Sequence, residues 1–278
     1  MEINNGTLYI VGTPIGNLSD LTPRAAEVLS KVELVAAEDT RVTSKLLSHL
    51  GLSRPIISYY EHNIRERGQQ FVAKLQDGAS IALCTDAGMP AVSDPGADLV
   101  RLCHENGIPV VCVPGPSALT AALALSGRAT GRICFEGFLT TNKKGRKEHL
   151  VELKTERRTM VFYEAPHKLL KTLVDMGAAW GDRGITICRE ITKLHEETIY
   201  TTLDGAVARY EDTPPRGEFV LVIDGAQDVA PQQDVDIAAV LKQALADGMS
   251  GRDAVRHTAE MTAVPKNKVY ALYQKEFL

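Results

Sequence analysis

A chain of 278 residues, 44% hydrophobic and 24% charged, has the makeup of a soluble globular protein with room for two domains. Its formal charge of −4 argues against a dedicated non-specific nucleic-acid binder but leaves room for a local basic patch. No apolar run approaches the ~20 residues of a membrane span, the opening MEINNG lacks the regions of a signal peptide, and the five cysteines, none in a CxxC, read as small buried hydrophobes of a reducing cytosol rather than zinc ligands.

The first part of the chain alternates strand and helix. LYIVG (8–12) is expected as a strand, and the next helix starts with Thr22 as N-cap and Pro23 at its first position. LVAA (34–37) is a strand, followed by a helix that Gly51 closes. PIISYY (55–60), SIALCT (80–85) and PVVCVPG (109–115) are further strands, each followed by a helix. Five β-then-α units with apolar, non-alternating strands predict a mostly parallel sheet with helices on both faces. Near Gly127 the pattern changes. RICFEGFL (132–139), TMVFYEA (159–165), GITICREI (184–191), EETIYTT (196–202) and GEFVLVIDGA (217–226) are strand-like, with helices between several of them. This predicts an α+β domain with a mixed sheet. A polar linker (225–236) leads to three short helices resembling a helix-turn-helix unit, with Ser250 and Asp253 capping the second. The expected domains are 7–126, 127–226 and 236–278.

In an open α/β sheet, ligands bind beyond the carboxyl ends of the strands. The loops gathered there are Gly12–Asn17, Glu38–Arg41, Tyr60–Asn63, the long Thr85–Gly96 connection, and Val113–Ser117. The fourth holds two Gly, two Pro and two Asp. It has no ligand cluster for a metal and no basic residue for a phosphate, so a stiff backbone wall for a small molecule is the better reading. Pro114, Gly115 and Pro116 lead into a helix, so Ser117 and Ala118 offer free backbone N–H groups to an anionic or carbonyl oxygen. GxSxG, HExxH and metal-spaced Cys/His pairs are missing, and of seven histidines His62, His167 and His195 fall in loops at strand ends. Between 141 and 171, nine Lys/Arg stand against four Glu, and NKKGRK (142–147) reads as a phosphate-gripping loop. Arg41, Arg189 and Lys193 fall in loops.

VGTPIGNLSDLTPRA, AAEDTR, LCTDAGMPAVSDPG, VPGPSAL and FYEAPHKL together resemble the tetrapyrrole-methylase-like (class III) S-adenosylmethionine-dependent methyltransferases. They match the branch that 2'-O-methylates a cytidine ribose in small-subunit ribosomal RNA, over about residues 7–225 and into the tail. Tetrapyrrole enzymes carry Gly-Asp-Pro where this chain has Asp86-Ala87-Gly88, which argues against a porphyrinoid substrate. The resemblance implies a two-domain α/β methyltransferase with S-adenosylmethionine as its cofactor and no metal. Pro14, Thr85, Asp86, Ala87, Gly88, Met89, Val92, Pro114, Ser117, Ala118, Phe162, Tyr163, Glu218 and Phe219 would bind the cofactor. Which of Asp86 and Asp94 touches it stays open, since Asp94 is equally suited to capping the next helix. Glu38, Asp39, Arg41 and His62 are the expected catalytic residues, with Glu164 a further candidate base. Lys143, Lys144, Arg146, Lys147, Arg189 and Lys193 are expected on the RNA. The implied partner is small-subunit ribosomal RNA or the assembled subunit, and the implied protein a cytoplasmic homodimer with no membrane association. Two rival readings are a tetrapyrrole methylase of the same fold and a DNA-binding regulator acting through the tail.

Overall fold

The computed structural model describes residues 3–227, 236–262 and 264–277. Its first ten regular elements alternate: β1 (Leu8–Val11), α1 (Pro23–Lys31), β2 (Leu34–Ala37), α2 (Thr40–His49), β3 (Ile56–Ser58), α3 (Ile64–Gln76), β4 (Ile81–Cys84), α4 (Ala97–Glu105), β5 (Val110–Val113) and α5 (Ala118–Ser126). Caps set several boundaries. The Thr22 hydroxyl accepts from the Ala25 N–H ahead of Pro23, and the Asp39 carboxylate accepts from the Arg41 N–H at the start of α2. Thr40 and Arg41, expected in a loop, therefore form the first turn of α2.

The five strands are parallel and lie in the order β3-β2-β4-β1-β5. β1, β2 and β4 are buried at every position, which is why their sequences do not alternate. The chain steps outward from β1 through β2 to β3 and packs α1 and α2 on one face. It then steps back through β4 to β5 and packs α3 and α4 on the other. Right-handed crossovers impose that change of face. β4 thus sends its following loop to one face while its neighbours β1 and β2 send theirs to the other, and a crevice opens at the carboxyl end of β4.

The second sheet comprises β6 (Ile133–Phe138), β7 (Thr159–Glu164), β8 (Gly184–Arg189), β9 (Glu197–Thr202) and β10 (Phe219–Ile223). Its order is β6-β7-β10-β8-β9, with β6 and β7 parallel and the remaining pairs antiparallel. One face carries α6 (Lys143–Glu152), α7 (Pro166–Trp180) and α8 (Leu203–Asp212), packed through Leu150, Leu169, Leu173, Met176, Trp180 and Ala206. The other face meets α5, whose Ala122 packs with Val161, Cys188, Val220 and Val222. Helix α5 follows the first sheet but covers the second, and both sheets fall in one compact unit, Met1–Ala226. Its departure leaves the edge strand β5 partly uncovered, so Cys112 is exposed and not buried as expected.

One further expectation changes. NKKGRK is not a loop: α6 begins at Lys143, with the Asn142 side chain accepting from the Gly145 N–H. The linker read at 225–236 falls mostly on 228–235, which lie outside the described residues. A separate unit, Gln227–Leu278, holds α9 (Ile237–Ala246), α10 (Gly251–Thr262) and α11 (Lys266–Phe277) around Leu241, Ala244, Ala254, Val255 and Val269. Among the described residues no helix is long and apolar enough to cross a membrane, and no group of His, Cys, Asp and Glu is placed to hold a metal.

Candidate active site

The loops after β1, β4 and β5 lock together above the crevice. Thr13 N–H donates to Gly88 O at 2.9 Å, and Gly88 N–H returns to Thr13 O at 3.1 Å. Gly12 and Gly115 meet backbone to backbone. A Cβ on Gly12 would lie 2.7 Å from Gly115 Cα, and one on Gly115 would lie 2.8 Å from Gly12 O, so neither position admits a side chain.

Over this lock lies a cavity of about 560 Å³, within the range of small-molecule sites. From the first sheet it takes Ile15, Glu38, Ser117, Ala118 and the β4 loop residues Thr85, Asp86, Ala87, Gly88, Met89, Val92, Ser93 and Asp94. From the second sheet come Phe138, Tyr163, Glu164, Ala165, Pro166, His167, Ile191, Glu218, Phe219 and Val220. Among the described residues, four other than glycine have left-handed backbone: Ala91 (φ 67°), Ser93 (φ 66°), Glu190 (φ 50°) and Thr192 (φ 70°). They flank Val92 and Ile191, which both line the cavity. Such conformations cost about 1–3 kcal/mol each and persist where the surroundings hold them.

The wall is acidic on one side and aromatic on the other. Thr85 Oγ1 donates to Glu38 Oε2 at 2.6 Å, and the Asp39 N–H donates to Asp86 Oδ1 at 3.0 Å. Burial pushes the Asp86 carboxyl up, and the charges of Glu38 and Asp39 add to it. Burial, then Glu38, pushes Asp94 up to about 6. Asp94 therefore belongs to the cavity wall, and Gly96 is the N-cap of α4. Opposite, Phe138 and Tyr163 meet edge to face at 5.8 Å, and burial raises the Tyr163 hydroxyl. Neither Lys nor Arg lines the cavity. Glu164 is 4% exposed, and its carboxylate is held by the Thr172 hydroxyl and the Ala165 N–H.

The structure brings together most of the predicted cofactor residues, with three exceptions. Phe162 sits fully buried in the core under α7, because successive residues of a strand point to opposite faces and Tyr163 takes the cavity side. Pro14 faces a separate, smaller cavity, and Pro114 lines neither. Of the predicted catalytic residues, Glu38 lines the cavity. Asp39 caps α2 and pairs with Arg41 at 2.5 Å, and His62 stands against the ring of Tyr60; none of these three reaches the cavity. Lys143, Lys144 and Lys147 are exposed on the first turns of α6, but Arg146 is not available to a phosphate. It is buried, with Nε donating to Asp175 at 2.6 Å and Nη2 to Thr172 Oγ1 at 3.0 Å. Arg189 pairs with Glu197 at 3.4 Å, and Lys193 with Glu190 at 2.9 Å and Glu218 at 2.8 Å. Sequence reasoning missed Ile15, Ser93, Phe138, Ile191, Val220 and the Ala165–His167 turn as cavity residues. The alternation of β10 and the Pro-initiated helix after β7 were the available signals for the last two.

Two packed sheets with a cavity at the switch point of the parallel one form an architecture that solved structures of distant sequence share. A diphthine synthase structure superposes with a TM-score of 0.63 at 12% identity, covering 78% of this chain and 90% of that one. Uroporphyrin III C-methyltransferase from Thermus thermophilus gives 0.57 at 16% identity, covering 78% and 97%. At these identities the likeness is one of fold.

The chain belongs to the family of tetrapyrrole (corrin/porphyrin) methylases, whose model matches residues 7–207. A second model, for the RsmI C-terminal HTH domain, matches residues 231–276. Relatives named ribosomal RNA small subunit methyltransferase I include the Synechocystis sp. protein, 47% identical over 96% of this chain and 97% of its own. The Escherichia coli O157:H7 protein is 42% identical over 96% and 94%.

Proposed function

We propose that this protein transfers a methyl group from S-adenosylmethionine to the ribose 2'-hydroxyl of a cytidine in small-subunit ribosomal RNA. The observation that carries the reading is the cavity's pairing of five carboxylates (Glu38, Asp86, Asp94, Glu164 and Glu218) with the rings of Phe138, Tyr163 and Phe219 and no Lys or Arg. That lining suits a ligand bearing an ammonium and a sulfonium, through charge on one side and ring faces on the other. It suits the carboxylate arms of a porphyrinoid poorly, which separates this chain from the tetrapyrrole enzymes of its own family. The names of its full-length relatives supply the RNA.

Bound in the cavity, S-adenosylmethionine supplies an electrophilic methyl group on a sulfonium. The protein aligns the acceptor with that methyl, which is the main requirement of an in-line displacement. Ser117 and Ala118, at the start of α5, present backbone N–H groups to an anionic end of the ligand. Asp86 takes the hydroxyl proton. One of its oxygens is held by the Asp39 N–H, and its raised carboxyl makes it a better proton acceptor than an ordinary aspartate. Lys143, Lys144 and Lys147 grip phosphates from the exposed first turns of α6. The same reading places the protein in the cytoplasm as a homodimer acting on the RNA or on the assembled subunit.

Mapping ribose methylation in small-subunit ribosomal RNA from cells with and without this protein tests the proposal. Loss of one 2'-O-methylcytidine is expected. An unchanged methylation map would overturn it.

A further inference from the structure

Beside the main cavity lies a second chamber of about 330 Å³. The two share a wall, since Ile15, Thr85, Asp86, Ala87 and Glu218 line both. The far side of the chamber is built by Leu18 of the β1 loop and by Val42, Lys45 and Leu46 of α2. Leu18 is 48% exposed and Val42 38%, a large share for apolar side chains on the rim of one opening. Lys45 is exposed and has no ion-pair partner among the described residues. Lys193, the other cation there, is held between Glu190 and Glu218.

We infer that this chamber seats the acceptor nucleotide, a single pyrimidine nucleotide turned out of a strand; the inference rests on the RNA reading above. The volume lies at the small end of the ~300–1000 Å³ of ligand sites, enough for one nucleoside and too small for a porphyrinoid macrocycle. Leu18 and Val42 give the flat face of a base an apolar surface. Lys45 offers the unpaired cation that an adjoining phosphate needs. Asp86 and Glu218 stand in the shared wall, and Lys193 already neutralises Glu218, so Asp86 is the free carboxylate that meets the ribose. Proteins that read single-stranded RNA splay a base out of the stack and hold it against the protein, and a nucleotide seated that way brings its ribose to the shared wall.

Three measurements test this. Val42→Trp fills the chamber from the surface of α2 without touching the large cavity. It should leave cofactor affinity, read by calorimetry, within about twofold, and lower kcat/KM on the RNA by about 50-fold, the equivalent of losing a stacked base. Lys45→Ala should raise KM for RNA about tenfold at unchanged kcat, with Lys45→Arg restoring most of it. A short single-stranded RNA carrying 4-thiouridine at the acceptor position should photocrosslink to α2 or the β1 loop. Parental RNA methylation by Val42→Trp, loss of its cofactor binding, or crosslinks confined to other segments would each overturn the chamber assignment. If the unaltered protein puts no labelled methyl into small-subunit RNA, the RNA reading itself fails, and the crosslink still decides what the chamber holds.

Discussion

Asp94→Asn keeps the shape of a cavity side chain and removes its charge. The carboxyl is pushed up to about 6 by burial and by Glu38. From an ordinary aspartate value near 3.9, that displacement equals about 3 kcal/mol at full strength. Asp94 is partly exposed, and solvent screening reduces the figure to about 1 kcal/mol. The sign follows from proton linkage. The folded protein holds this proton more tightly than the unfolded chain does, so the contribution to stability is fully present below about pH 4 and is lost as pH rises through about 6. Asp94→Asn and the parent should therefore unfold in urea with equal free energies near pH 4, and the variant should be about 1 kcal/mol more stable at pH 7. If the ionised carboxylate serves a cationic cofactor, calorimetry at pH 7.5 should show the variant binding S-adenosylmethionine about tenfold more weakly, a loss of ~1.4 kcal/mol. That difference should shrink towards pH 5, where the parent is largely protonated. Equal stability at both pH values, or equal cofactor affinity at pH 7.5, would refute the argument.

Ser117→Trp puts an indole into the cavity and should abolish the calorimetric signal for S-adenosylmethionine while the circular dichroism spectrum is kept. Gly115→Ala drives a methyl group against the Gly12 backbone, where neither chain segment can give way; overpacking of this kind should cost about 2–3 kcal/mol in urea denaturation. Arg146→Ala leaves Asp175 with only Lys171 and should cost about 2–3 kcal/mol, measured the same way. Lys143→Glu combined with Lys144→Glu should instead change stability by less than about 0.5 kcal/mol, keep cofactor affinity, and weaken RNA binding in a filter assay about tenfold.

The parallel sheet was legible because each strand is a short apolar run bounded by Gly, Pro or a cap, and those signals are local. The cavity was legible in part, because the loops at the carboxyl ends of β1, β4 and β5 converge in any right-handed arrangement. What failed has identifiable causes. The start of α6 was hidden by its run of Lys, Arg and Gly145, although Asn142 three residues before Gly145 was a readable cap. Arg146 could not be told from its basic neighbours, because only the packing of α6 on α7 decides which one reaches Asp175. Phe162 and Tyr163 were taken together where strand alternation admits one. Phe138 and Ile191 come from distant segments that only the assembled second sheet brings to the cavity. The match to the family rests on loop residues; the division of labour among the carboxylates rests on geometry that no loop sequence shows.

β10 is the last strand among the described residues, yet it lies at the centre of the second sheet, with Phe219 paired to both Glu164 and Arg189. During synthesis, until residue 223 is available, that sheet exists only as the pairs β6–β7 and β8–β9, each with a bare edge. Two-stranded pieces are marginal by themselves, and bare edges invite pairing with other chains. The same late strand brings Phe219 and Val220, with Glu218 just ahead of it, to the cavity. A message stopped shortly before this strand would thus yield a self-associating fragment with an incomplete cavity, in place of a weakened enzyme.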